Sequence, residues 1–261
     1  MEKYFADEHA SAASQLYGAP CGLEDSPEAA ALRGARTYED FLALGDALCY
    51  RLRYRDAIEA YSLAAAMSPK RPDAYRRRAG RYLTTLQSAK AMDDLMRCRV
   101  LGGEAKDLSY RMGLCLYLSG EYREAMAEFE AEYDQWNDEM KIAIIYWHTL
   151  SAWRAKIEPT LLQEKYHKGM AVGHHMAYDF CMAVAAGHTA LSSGLERLEQ
   201  TEEDLEYSIL AYGLAGCLVQ QERGDKAAKL LQNIIERDSF WISYAYLAAW
   251  NDKRRLSASE M

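Results

Sequence analysis

Gly45, Ala79 and Gly113 stand 34 residues apart, and so do Ala57, Ala91 and Ala125. Each is small enough for two helices to approach closely, so the fixed step marks one supersecondary unit repeated along the chain. Around Gly45, the residues Phe41, Leu44 and Leu48 fall at helical spacing, and Ala57, Tyr61 and Ala64 form an answering stripe on a second helix. Pro69 and Pro72 end that second helix and open the next unit, because proline suits a first helical turn and not an interior. In the third unit Gly120 separates the two helices.

At these positions the sequence resembles the tetratricopeptide repeat family. Its pattern sets a large residue, Leu, Gly, a large residue, Ala, an aromatic, Ala and Pro in fixed slots. Phe41, Leu44, Gly45, Leu48, Ala57, Tyr61, Ala64 and Pro69 fill all of them. The second unit is looser, with Tyr75, Tyr82, Ala91 and Cys98, and so is the third, with Met112, Gly113, Leu116, Ala125 and Phe129; both lack the closing proline. The resemblance implies an all-α fold, a right-handed superhelix of antiparallel helix pairs (an α-solenoid) whose C-terminal half is irregular.

One further step of the interval would put Pro159 in the slot of the closely packed Ala, at a cost of about 3 kcal/mol for a mid-helix proline. The register therefore breaks after Asn137. The expected organisation is an N-terminal helix and loop over 1–36, with the helix around Ala6 to Tyr17, and three repeat units over 37–137. An irregular helical region over 138–200 and a degenerate unit with a capping helix over 201–261 follow. Within the irregular region, Lys141 to Trp153 is one apolar helix, Glu158-Pro159-Thr160 is a restart, and LLQEKYHKGMAVGHH is a helix interrupted at Gly169 and Gly173. Thr201-Glu-Glu-Asp caps an acidic helix start, Ser208 to Gln221 continues it, and Ala227, Leu231 and Ile234 belong to the following helix. The final helix sets Trp241, Tyr244, Ala245, Leu247 and Ala248 within helical reach of one another.

The net charge of -8 argues against a general nucleic-acid or anionic-membrane surface, since phosphates attract excess Lys and Arg. The opening residues lack a continuous apolar run, so no signal peptide or span is expected and the expected location is the cytoplasm. Cys21, Cys49, Cys98, Cys115, Cys181 and Cys217 form no CxxC pair and fall mostly in helical patterns, which reads as reduced, buried thiols. Phosphate loops and nucleophile elbows are missing, so neither an enzyme nor a cofactor is expected.

The family's first helices line a concave groove, and the resemblance carries its groove-facing slots to Leu42, Asp46 and Tyr50, to Arg76, Arg77 and Thr84, and to Tyr110, Arg111 and Tyr117. Of these, Tyr50, Arg76, Arg77, Tyr110, Arg111 and Tyr117 are the expected peptide contacts. Guanidinium forks grip carboxylates and Tyr offers rigid contact area, so the expected ligand is an acidic, partly apolar segment of another protein. The family's carboxylate clamp for chaperone C-termini is disfavoured: of Leu42, Asp46, Arg77, Asp107 and Arg111, only Arg111 matches, and the two Asp have the wrong sign. The alternatives are a self-associating or peptide-sensing regulator, which would dimerise through an exposed aromatic face of the last helix, and a dedicated chaperone. A metal-dependent enzyme around His167, His174 and His175, with Glu164, Asp179 and Cys181 nearby, is the remaining alternative; without an HExxH motif the histidines read as surface or hydrogen-bonded side chains. His148, in the apolar run beside Trp147, reads as a core or groove residue.

Overall fold

The computed structural model describes residues 30–31, 34–237 and 243–259, and every element assigned in them is helical. The helix expected around Ala6 to Tyr17, the thiol of Cys21 and the ring of Trp241 lie outside the described residues. The helices are α1 (Tyr38–Tyr50), α2 (Tyr54–Met67), α3 (Pro72–Thr84), α4 (Ser88–Val100), α5 (Ala105–Ser119) and α6 (Tyr122–Ala131), then a 3-10 turn at Tyr133–Gln135. They continue as α7 (Asp138–Ala155), α8 (Thr160–Lys165), α9 (Met176–Ala185), α10 (Leu191–Gln200), α11 (Asp204–Gln220), α12 (Gly224–Arg237) and α13 (Tyr244–Ser259). The chain divides into two compact units, Met1–Arg111 and Met112–Met261, and the division falls within α5.

In the first unit the 34-residue step becomes two helix hairpins, α1 on α2 and α3 on α4, with α2 also packed on α3. A capping box starts α1: the Asp40 amide donates to Thr37 Oγ1 at 3.1 Å, and the Thr37 amide donates back to Asp40 at 2.9 Å. Pro72 occupies the first turn of α3, where its missing N–H costs nothing. Leu44, Leu48, Ala57, Tyr61 and Ala64 make one apolar cluster with Phe41 packed against it.

The residue sizes at the hairpin crossings compensate one another. A Cβ added at Gly45 would sit 2.2 Å from Cε1 of Tyr61, so glycine is what lets the ring lie flat against α1. The same slots in the next repeat hold Ala79 and Leu95, both fully buried, so a smaller side chain on the second helix goes with a methyl on the first. In the second unit the slots hold Gly113 and Phe129, and the added Cβ would be 2.5 Å from the ring.

The second unit continues with different material. Helix α7 has eleven successive buried residues, Ile142 to Ala152, and α11 is almost as completely buried from Ser208 to Leu218. A helix buried on every side cannot be half of an exposed hairpin; it is a central strut. Around these two struts, α6 and α9 pack on α7, and α9, α10, α12 and α13 pack on α11. The Tyr146 hydroxyl ties the struts together, donating to the Ile209 carbonyl at 2.9 Å.

Pro159 sits at the N-cap of α8, outside any helix interior, and α8 ends at Lys165. From Tyr166 to His175 no α-helix forms, with Gly169 at φ +95, so the interrupted helix is a short helix followed by a loop. The cap of α11 is Glu203, not Thr201: its carboxylate accepts the amides of Leu205 at 3.0 Å and Glu206 at 2.6 Å. The exposed aromatic face expected on the last helix is absent from its described side chains. Ala245 to Ala249, Tyr246 included, are at most 2% exposed because the stripe packs on α11 and α12.

Candidate peptide-binding face

The first helices of the first unit are neighbours, held by polar contacts between equivalent positions. The Tyr38 hydroxyl on α1 accepts the Ala74 amide of α3 at 3.1 Å, and Arg71 reaches Glu39 at 2.5 Å. Farther along the same helices, Arg77 of α3 pairs with Asp46 of α1, whose other oxygen accepts the Tyr61 hydroxyl at 2.8 Å. Between α3 and α5, Arg111 Nε donates to both oxygens of Asp107, at 3.0 and 2.9 Å, and Arg76 lies 3.7 Å from the same carboxylate.

Thus Arg76, Arg77 and Arg111 lie on adjoining first helices, each side chain between 24% and 35% exposed. They already hold Asp46 and Asp107, the two carboxylates that stand in slots of the chaperone-tail clamp. Partly exposed pairs of this kind contribute little net stability, so a carboxylate from outside could replace either Asp at small cost. The Asp46 contact keeps Arg77 firmly protonated, and its Nε is buried without a hydrogen-bond partner.

Tyr50 closes α1 and is 91% exposed, whereas Tyr110 is half-buried on α5. Leu42 and Thr84 are buried and offer no contact surface. Tyr117 follows Tyr110 by two turns on one face of α5, yet it is 3% exposed: Trp147 packs edge-on against its ring at 5.1 Å, and its hydroxyl meets that of Tyr212 at 2.7 Å. A side chain so enclosed cannot touch a peptide while the second unit stays as it is.

On the loop before α9, Glu139 engages His175 through its ring and His174 through its main chain. The His174 amide donates to Glu139 Oε1 at 3.0 Å, and His175 Nδ1 meets the Glu139 carbonyl while its ring stands edge-on to Tyr178. His167 is exposed. Among the described residues no group of three or more His, Cys, Asp or Glu is placed to hold a metal ion.

His148 is completely buried on α7. Its Nε2 is 2.8 Å from Glu130 Oε1, which also accepts the Thr160 hydroxyl at 3.0 Å. A neutral ring donating from Nε2 leaves Nδ1 as a bare acceptor, and Nδ1 has no partner. Burial depresses the pKa of His148, with Glu130 opposing. No local spacing joins Glu130, His148 and Thr160, so this group is invisible to motif reading. The same holds for Arg78, which grips Asp94 at 2.6 and 2.7 Å and Ser62 at 2.9 Å.

None of the helices among the described residues is long and apolar enough to cross a membrane. No family profile matches the chain. The chain is similar to tetratricopeptide repeat protein 28 of Mus musculus, 28% identical over 150 residues or 57% of this chain, and to the protein of the same name from Homo sapiens, 28% identical over 156 residues or 59%. Either match spans only 6% of the relative's length, so the chain corresponds to a small part of those proteins. The 34-residue step in both the sequence and the helix boundaries, the small residues at the hairpin crossings and this similarity together support a tetratricopeptide-repeat protein.

Proposed function

We propose that the first unit is a protein-interaction module, and that the face formed by Tyr50, Arg76, Arg77, Tyr110 and Arg111 binds a segment of a partner protein carrying carboxylates and an apolar side chain. The observation that carries this reading is the row of partly exposed pairs, Arg77 with Asp46 and Arg76 and Arg111 with Asp107, on three adjoining first helices. The guanidinium groups there give the carboxylates of an acidic segment fixed forks to meet. Tyr50 supplies an aromatic surface at the edge of the row. Tyr117 has no part in the reading.

The experiment is a screen of labelled acidic and phosphorylated peptides by fluorescence anisotropy against the wild-type chain and the double variant Arg76→Glu, Arg111→Glu. Charge reversal is expected to weaken binding at least about tenfold, or about 1.4 kcal/mol. Because the row is partly exposed, the difference should shrink as salt rises. A variant that binds the same peptides as tightly as wild type moves the contact surface elsewhere.

A further inference from the structure

Tyr117 is enclosed partly by the chain's own last helix, and the chemistry of that enclosure is specific. Asp252 of α13 is 6% exposed, accepts the Tyr212 hydroxyl at 2.9 Å, and pairs with the guanidinium of Arg154 from α7. Tyr212 in turn meets the Tyr117 hydroxyl at 2.7 Å, and Trp147 packs against both rings, edge-on to Tyr117 at 5.1 Å and tilted to Tyr212 at 6.0 Å between centres. A cation and a hydroxyl that touch the carboxylate, a second hydroxyl bonded to the first and an indole packed against both rings, all supplied by α5, α7 and α11, make up a receptor for one carboxylate.

The two halves of α13 are attached in different ways. From Ala245 to Ala249 the helix is core, at most 2% exposed. From Asn251 to Arg255 the described contacts are chiefly polar: Asn251 Nδ2 donates to the Leu118 carbonyl at 2.5 Å, Arg255 donates to the same carbonyl at 2.7 Å and to Tyr122 at 3.0 Å, and Asp252 fills the receptor. Lys253 is exposed, and Arg254 and Arg255 partly so. Unwinding this stretch exchanges hydrogen bonds for water, whereas lifting the first half would open the core.

We infer that Arg154, Tyr212 and Tyr117 form a carboxylate-binding site in the second unit, filled in cis by Asp252 and open to an acidic side chain of a partner protein when α13 unwinds from Asn251 onwards. The site is separate from the row of arginines in the first unit and does not depend on the reading of that row. The cis carboxylate acts as a tethered competitor, so its removal raises affinity for a free acidic peptide and its retention holds that affinity down.

Two measurements on the full chain test this. In the unaltered protein, native-state hydrogen exchange is expected to show the amides of 251–255 opening locally, at least tenfold faster than those of Leu210 to Leu214 and with little dependence on denaturant. Equal protection of the two segments, lost together, would mean that α13 leaves only with the core and would sink the proposal. The second measurement uses the Asp252→Ala variant and a labelled peptide of residues 248–255, followed by anisotropy. Binding is expected at least tenfold tighter than to wild type, and at least tenfold weaker for a peptide with Asn in place of its Asp. Adding Arg154→Met to the variant is expected to abolish binding. Binding indifferent to the peptide's carboxylate, or none to a folded Asp252→Ala chain, overturns the assignment.

Discussion

Replacing Gly45 by alanine puts a methyl group 2.2 Å from Cε1 of Tyr61, where carbon atoms prefer about 3.5 Å. Either the ring or α1 must retreat by about 1.3 Å. The ring is poorly able to do so, since its hydroxyl is held by Asp46 at 2.8 Å and lies 3.4 Å from the Cys49 thiol. Overpacking of this kind costs about 1–3 kcal/mol, and the better helix propensity of alanine returns up to about 1 kcal/mol. Gly45→Ala is therefore expected to destabilise the first unit by about 1–2 kcal/mol. Tyr61→Leu alone loses the hydroxyl bond and leaves a void, at about 1–3 kcal/mol. Together the two changes recreate the Ala79 and Leu95 pairing of the next repeat, so the double variant is expected to be more stable than the sum of the single losses by about 1–2 kcal/mol.

Urea unfolding followed by circular dichroism completes the cycle; tryptophan fluorescence will not serve, because Trp136 is the first of the five tryptophans and all report on the second unit. Tyr61→Phe, which deletes the hydroxyl and keeps the ring, is the control and is expected to give no rescue. Additivity of Gly45→Ala and Tyr61→Leu within about 0.5 kcal/mol would refute the size-compensation argument.

The buried, neutral His148 makes the second unit sensitive to acid. Its folded pKa lies below the unfolded value, so the unfolded chain binds the extra proton first; the stabilising contribution is complete above about pH 6.5 and is lost as pH falls through the lowered folded pKa. Tryptophan-monitored unfolding is expected to weaken from about pH 6.5 downwards in wild type and less steeply in His148→Gln, and identical slopes would remove His148 as the cause. Burial also pushes the Cys217 thiol up to about 12 and the Cys181 thiol well above its usual range. Mass spectrometry after iodoacetamide treatment is accordingly expected to find both unmodified in the native chain and alkylated after unfolding, and rapid native alkylation would contradict their placement.

The repeat was legible because it is local chemistry at a fixed interval: Gly45, Tyr61 and Pro69 impose their demands within one hairpin. The helix boundaries follow from the same residues, with α1 and α3 starting at Tyr38 and Pro72, one interval apart. What lay beyond reading depends on partners distant in the chain. Asp46 and Asp107 look like failed clamp residues until the fold sets them against Arg77, Arg76 and Arg111. Tyr117 has the right slot for a groove, and nothing near it in sequence announces Asp252, Tyr212 and Trp147. The loop before α9 resisted for another reason: glycines erase the helical period, and Glu139 of α7 holds it at the His174 amide and the His175 ring.

The reciprocal sizes at 45 with 61, 79 with 95, and 113 with 129 also bear on how such an array changes over generations. Genetic exchange that joins half of the middle hairpin to half of either flanking one would set a methyl against an aromatic ring, or leave glycine facing leucine. A crossover in the short links that end at Pro72 and Ala105 keeps each matched couple intact. The heritable module is then the hairpin as a whole, and descendants with more or fewer repeats should be joined at those links.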